Sequence, residues 1–208
     1  MSEYHPQPTK SEAKATCHLI GQKRPLRPKD VWAIRIQLQI AAKRRDLALF
    51  NLAIDSKLRG CDLVKVRVAD VLTGDHMRER SIVVQQKTGR PVQFELTEPT
   101  RTAVREWLDT RASSNLAYLF PSRVKGHQHI STRQYARLVH VWVKKAGLDP
   151  AGYGTHSMRR TKAAQIYRKT GNLRAVQLLL GHTKIESTVR YLGIDVDDAL
   201  NISEQVEL

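Results

Sequence analysis

The sequence predicts a mainly α-helical domain carrying one small antiparallel β-sheet, an α+β chain. Three observations carry this. Apolar residues recur at helical spacing over long segments, most clearly at Tyr135, Leu138, Val139, Trp142, Val143 and Ala146. Between residues 64 and 96 the pattern changes to short β-branched runs, VKVRVADV, SIVVQQ and PVQFEL, separated by turn-forming residues. Beyond them the pattern returns to helical spacing, with good N-caps and glycine stops.

Taken in order, residues 1–27 are polar and aperiodic, closing on KRPLRP, and predict a flexible arm. Residues 28–56 hold two apolar segments. In the first, IRIQLQI alternates with period two and fits a strand, while Val31, Ile34, Leu38 and Ala41 fit a helix stripe behind the entrance RPKD. The second, RDLALFNLAIDSKLRG, predicts a helix ending near Gly60. The three β-branched runs follow, with Lys87-Thr88-Gly89 as a hairpin turn. Thr97-Glu98-Pro99 opens a helix running to about Arg111. Ser131 caps the next, over 131–146. Thr155 caps another that stops at Gly171, and NLRAVQLLLGH makes one more. Residues 28–194 form the folded domain, and 195–208 an acidic tail.

A chain of 208 residues can bury a core for one domain plus extensions. No apolar stretch is long enough to span a membrane, and MSEYHPQPTK lacks the features of a signal peptide. Only two cysteines are present, Cys17 and Cys61, which excludes a disulfide framework or a multi-cysteine zinc site and suits a reducing, cytoplasmic compartment.

Charge says more. The formal net charge is +15, which points to a polyanionic partner. From Pro121 to Arg190 there are 14 Lys and Arg against two acids (14 − 2 = +12), and from Tyr191 to Leu208 five acids and no Lys or Arg, a net of −5. A merely soluble basic surface mixes signs more evenly. This pattern suits a body that faces nucleic acid and a tail that faces something else.

Four short stretches carry the chemistry: KLRGCDL with Arg59, VVQQKTGRPV with Lys87, GTHSMRRTKAA with His156 and Arg159, and LLLGHTKIESTVRYLG with His182 and Tyr191. Each residue alone has a plainer reading: a surface arginine, a solvated turn lysine, a helix-start histidine, a charged helix face, a tyrosine closing a small core. Together they resemble the tyrosine recombinase (phage integrase) family. Its signature runs arginine at a helix end, lysine in a β-hairpin turn, His-x-x-Arg, Leu-Gly-His, and a tyrosine nine residues on. Here Arg159 follows His156 by three residues and Tyr191 follows His182 by nine. The resemblance covers residues 28–194 and implies the catalytic-domain fold of that family. It also decides for helix over residues 30–41.

The resemblance implies a site-specific DNA recombinase that integrates, excises or inverts DNA through a 3′-phosphotyrosyl intermediate, with Tyr191 as nucleophile. Charge building on non-bridging phosphate oxygens suits planar guanidinium groups, so Arg59 and Arg159 would clamp them. By the same resemblance Lys87 is the general acid for the leaving 5′-oxygen, His156 assists proton movement and His182 hydrogen-bonds the phosphate. Asp62 stands at an acidic position of the family and is expected to orient Arg59 or His156. No cofactor is implied, neither ATP nor a metal. Arg133, Arg137, Arg160, Lys162, Lys184 and Arg190 are the candidate DNA-binding cations. The expected partners are double-stranded recombination sites, further copies of the chain (dimer to tetramer on DNA) and an accessory DNA-bending protein. The tail is expected to dock in trans on a neighbouring copy.

There are departures. Lys57 stands where the family usually has glycine and Met158 where it has leucine, both expected to be packing changes. Only about 27 residues precede the domain, similar to short stand-alone members such as the fimbrial-switch invertases. A non-catalytic DNA-binding relic is the alternative from another class. The full set of reactive residues argues against it. A relaxing topoisomerase shares the same chemistry. A carboxylate-metal integrase is disfavoured, because the acids do not cluster near strands.

Overall fold

The computed structural model describes residues 22–111, 117–194, 200, 203 and 204. The elements run α1 (Pro28–Ile40), α2 (Arg44–Ser56), α3 (Gly60–Leu63), α4 (Val68–Val71), β1 (Leu72–Thr73), β2 (His76–Met77), β3 (Arg80–Val84), β4 (Pro91–Glu95), α5 (Glu98–Asp109) and α6 (Thr132–Lys145). A 3-10 turn at Pro150–Gly152 leads to α7 (Thr155–Thr170), α8 (Leu173–Leu180) and α9 (Ile185–Leu192).

IRIQLQI is helical. Pro28 sits in the first turn of α1, and the Asp30 carboxylate accepts from the Arg27 backbone N–H at 3.1 Å, closing the helix start. The buried residues Val31, Ile34 and Leu38 then form one stripe against the core. Helix α2 is the centre of the molecule, with every residue from Leu47 to Ser56 buried, packed between α1, α5 and α7. Full burial of side chains such as Leu49, Leu52 and Phe50 contributes roughly 1.5–3 kcal/mol each. Trp142 of α6 meets Phe50 edge-on at 5.6 Å, fastening the α6 stripe to α2.

Four features differ from expectation. VKVRVADV is no strand. It crosses the end of α3 and a short link into α4, where the Asp70 carboxylate accepts from the Arg67 N–H at 2.8 Å and caps the turn. Val64, Val66 and Val71 are all buried, and the segment's only β-type pairing among the described residues is the single bridge Arg67–Tyr118, so the burial that alternation implies is reached by two short helices and the link between them. The β part is also two separate two-stranded antiparallel sheets, β1–β2 and β3–β4. In the second, Arg80 pairs with Glu95 and Val84 with Pro91, and the turn between them carries Lys87.

Helix α2 stops earlier than predicted. Lys57, not Gly60, terminates it in the left-handed conformation (φ 53°), and Gly60 instead opens α3. That backbone costs a non-glycine residue about 1–2 kcal/mol. Burial of the Lys57 ammonium against the Asp55 carbonyl (2.6 Å) and the Glu95 carboxylate (2.9 Å) opposes the strain. Lys57 is therefore an ion-paired anchor between α2 and β4 rather than a packing change.

Residues 22–27, expected in the arm, lie on the helical body. Leu26 is buried, and its N–H donates to Thr161 Oγ1 at 3.0 Å. Residues 1–21 lie outside the described residues, as does the acidic tail apart from Leu200, Ser203 and Glu204.

Candidate active site

Helix α7 supplies His156, Arg159 and Arg160 from its first turns, α9 supplies Tyr191, and the α8–α9 link supplies His182. Arg59 is the residue immediately before α3, in extended backbone, so the Lys57 anchor two residues earlier fixes where it emerges. The structure gathers these groups. The Arg160 guanidinium lies 4.7 Å and that of Arg159 5.8 Å from the Tyr191 ring centre, and the His182 ring meets Tyr191 edge-on at 5.4 Å. The Tyr191 hydroxyl points to the His156 carbonyl at 3.5 Å, too long to hold it firmly. Lys87 is exposed in the β3–β4 turn and makes no hydrogen bond or ion pair among the described residues.

The end of α8 is the keystone. Gly181 adopts φ +65° and passes so close to β4 that an added Cβ would lie 2.5 Å from Val92 Cγ2. This approach delivers the Leu180 carbonyl to Arg159, whose Nη2 donates to it at 2.7 Å. Arg159 is 3 % exposed, and its Nε has no partner. Among the described residues none of Arg59, Arg159 and Arg160 forms an ion pair, although the buried Asp62 carboxylate acts on Arg159 from a distance, so the guanidinium charge around the tyrosine is only partly offset. Buried donors left unpaired are costly in water's absence, and an anion is what would satisfy them.

Electrostatics set the protonation states. Burial, then Arg159 and Arg59, push the His182 imidazole down to about 4, so it is neutral at physiological pH. Burial and the same cationic neighbours also lower His156, leaving it able to accept a proton. For Tyr191 burial raises the phenol pKa while Arg159, Arg160 and Arg59 oppose the rise, so attack requires the proton to be taken up by a neighbour.

His182 also gives a stability prediction. An unfolded histidine titrates at 6.5, the folded one at about 4. Between these values the unfolded chain binds more protons, so stability falls as pH is lowered through that window. His182→Asn should show a shallower fall in melting temperature from pH 6.5 to 4 than the wild type. Parallel slopes would mean that His182 titrates normally.

Several predicted residues land elsewhere. Asp62 orients neither Arg59 nor His156 by hydrogen bonding: its Oδ1 accepts from the Gln86 N–H at 2.9 Å, bracing the base of the lysine turn, and Oδ2 is buried without a partner. Arg160 is buried under Tyr191 and donates to the Lys23 carbonyl at 2.5 Å. Lys162 is held by Asp55 at 2.7 Å and Glu95 at 2.6 Å. Neither cation lies on an open basic face. Arg133, Arg137, Lys184 and Arg190 are exposed. Sequence reasoning missed the segment at Gln22 and Lys23, which ties down both Arg160 and the Arg190 carbonyl (2.6 Å from Gln22 Nε2), and nothing local in the sequence signals it. Among the described residues no group of three or more His, Cys, Asp or Glu side chains could hold a metal ion.

A tyrosine set among guanidinium groups that form no ion pair among the described residues, with two imidazoles held low in pKa beside it, on a mainly helical scaffold, is a cationic site suited to an anion. The chain belongs to the phage integrase family, whose model matches residues 25–197. It is 30% identical over 161 residues to the probable integrase/recombinase YoeC of Bacillus subtilis (strain 168), covering 77% of this chain and 84% of that one. It is 29% identical over 164 residues to the tyrosine recombinase XerC of Psychromonas ingrahamii, covering 77% of this chain but 52% of the relative, so it spans about half that protein's length. Among solved structures it is similar in fold to XerA recombinase (TM-score 0.71, 21% identity, 87% of this chain and 64% of that one). It is also similar to XerH site-specific recombinase bound to palindromic difH substrate (TM-score 0.69, 17% identity, 88% and 53%). The fold is thus that of tyrosine recombinase catalytic domains.

Proposed function

We propose that this protein is a site-specific DNA recombinase that cleaves and rejoins duplex DNA through a 3′-phosphotyrosyl intermediate. The observation that carries the reading is the Tyr191 ring packed against Arg159 and Arg160, with Arg59 acting on its phenol electrostatically and none of the three in an ion pair among the described residues. Tyr191 attacks a phosphodiester phosphorus: the tyrosyl O–P bond forms, the P–O5′ bond breaks, the phenolic proton passes to His156 or solvent, and Lys87 protonates the departing 5′-oxygen. Arg59 and Arg159 hold the non-bridging oxygens, and neutral His182 donates a further hydrogen bond. Rejoining is the reverse, with a 5′-hydroxyl as nucleophile. One phosphate ester replaces another, so the exchange is close to energy-neutral and calls for neither ATP nor a metal.

Exchange between two duplexes breaks four strands, one per tyrosine, which is why a dimer-to-tetramer on DNA is the assembly proposed. A lambda integrase dimer bound to a COC′ core site has a similar fold, which supports this (TM-score 0.60, 18% identity). Exposed Arg133, Arg137, Lys184 and Arg190 would neutralise backbone phosphates. The test is a nicked duplex carrying the sequence that flanks the protein's own gene, in which the short 5′-hydroxyl strand diffuses away after cleavage. A protease-sensitive covalent adduct on a denaturing gel is expected. A protein that binds this DNA and forms no adduct would be the non-catalytic alternative.

A further inference from the structure

Between the clamp arginines and the lysine turn lies a side chain that the reaction scheme does not use. Gln85 is 1 % exposed at the end of β3. Its Oε1 accepts from Arg59 Nη1 and from Thr88 Oγ1, the latter at 3.0 Å. Its Nε2 donates to the Leu180 carbonyl at 3.3 Å, the same carbonyl that receives Arg159 Nη2. The amide orientation is unambiguous, because a guanidinium only donates and a carbonyl only accepts. Its backbone frames the turn as well: Gln85 N–H donates to Arg90 O at 2.9 Å and Gly89 N–H to Gln85 O at 2.8 Å.

We propose that Gln85 is the positioning residue that couples the phosphate clamp to the general-acid turn. One neutral amide sets Arg59 directly, Arg159 through the shared Leu180 carbonyl, and Lys87 through Thr88 and the turn backbone. The residue type matters. A carboxylate here would hold Arg59 more tightly, but it would cancel the charge meant for the phosphate and set a second acceptor against Leu180. Asparagine is one methylene short. An apolar side chain holds nothing. Glutamine fixes the arginine and leaves its charge unspent.

The inference rests on the recombinase reading, so its test separates the two. Single-turnover cleavage by the full chain is measured at saturating DNA, on a nicked duplex and on one whose scissile 5′-oxygen is replaced by sulfur. Thiolate leaves without a proton, so the sulfur substrate bypasses Lys87. Gln85→Met keeps the volume and should fold. It should cleave the oxygen substrate roughly 10- to 100-fold more slowly, the scale of losing a group that orients a reactive residue. Affinity should stay within a few-fold, and the sulfur substrate should restore only part of the rate, since the phosphate still meets a loosened Arg59. Gln85→Glu should be at least as slow as Gln85→Met. Wild-type rates from either variant, full restoration by sulfur, or a loss that appears only as weaker DNA binding would each overturn the coupling while leaving the recombinase reading intact. Absence of adduct from the wild-type protein on both substrates would remove that reading and the inference with it.

Discussion

Replacing Tyr191 with phenylalanine abolishes the covalent adduct and leaves duplex affinity within a few-fold of wild type. The ring stays where it is, under the Arg160 guanidinium at 4.7 Å and edge-on to His182 at 5.4 Å. What is lost is an oxygen that makes a long 3.5 Å contact to the His156 carbonyl and a hydrogen bond with Arg160, so the packing of the ring is kept and the melting temperature falls only slightly. The reaction has no substitute nucleophile: the other five proposed reactive groups are cations or imidazoles placed to stabilise charge or move protons. Adduct on a denaturing gel, affinity by gel shift and melting temperature are read on the same preparation. A phenylalanine variant that still forms adduct would place the nucleophile elsewhere.

Arg159→Ala should slow single-turnover cleavage by about 100- to 1,000-fold, the scale of removing one preorganised donor from a charge-building transition state. The side chain is nearly fully buried and also holds the Leu180 carbonyl, so alanine also loosens the end of α8. Arg159→Lys separates the effects. It keeps a positive charge and most of the packing, but a compact ammonium cannot bond the Leu180 carbonyl and a phosphate oxygen in the guanidinium's fixed fork. Both variants should lose cleavage at saturating DNA, and the lysine variant should melt closer to wild type. If the lysine variant cleaves at the wild-type rate, Arg159 contributes charge alone and not geometry.

Much of the site was legible in one dimension because its parts are local. Arg159 follows His156 by three positions on one helix, a glycine after Leu180 ends α8 and turns the chain toward His182, and a Lys-Thr-Gly turn closes a hairpin. Backbone preference acting over a few residues produces each of these, so spacing alone exposes them. The early helix was ambiguous because IRIQLQI satisfies both periods. The stripe Val31, Ile34, Leu38 prevails because α2 and α6 offer helical surfaces for it to pack on. VKVRVADV misled for the converse reason: alternating valines state that they are buried, not how.

The amino-acid sequence by itself determined the order of the longer helices, the lysine hairpin, and that His156, Arg159 and His182 come together with Tyr191. Tertiary structure alone decided what each cation does. Arg133 and Lys162 look alike in the sequence, yet one is exposed on α6 and the other is pinned by Asp55 and Glu95, which lie 107 and 67 residues away in the chain (162 − 55 and 162 − 95). Arg160 reads as a charged helix face until Lys23 and Tyr191 are seen to enclose it. Lys57 reads as a substituted glycine until Glu95 is placed opposite its ammonium. The physical reason is common to all three. A side chain's charge is fixed by its own chemistry, but whether that charge is spent depends on a carboxylate, a carbonyl or a ring brought within about 3–6 Å by a distant part of the chain.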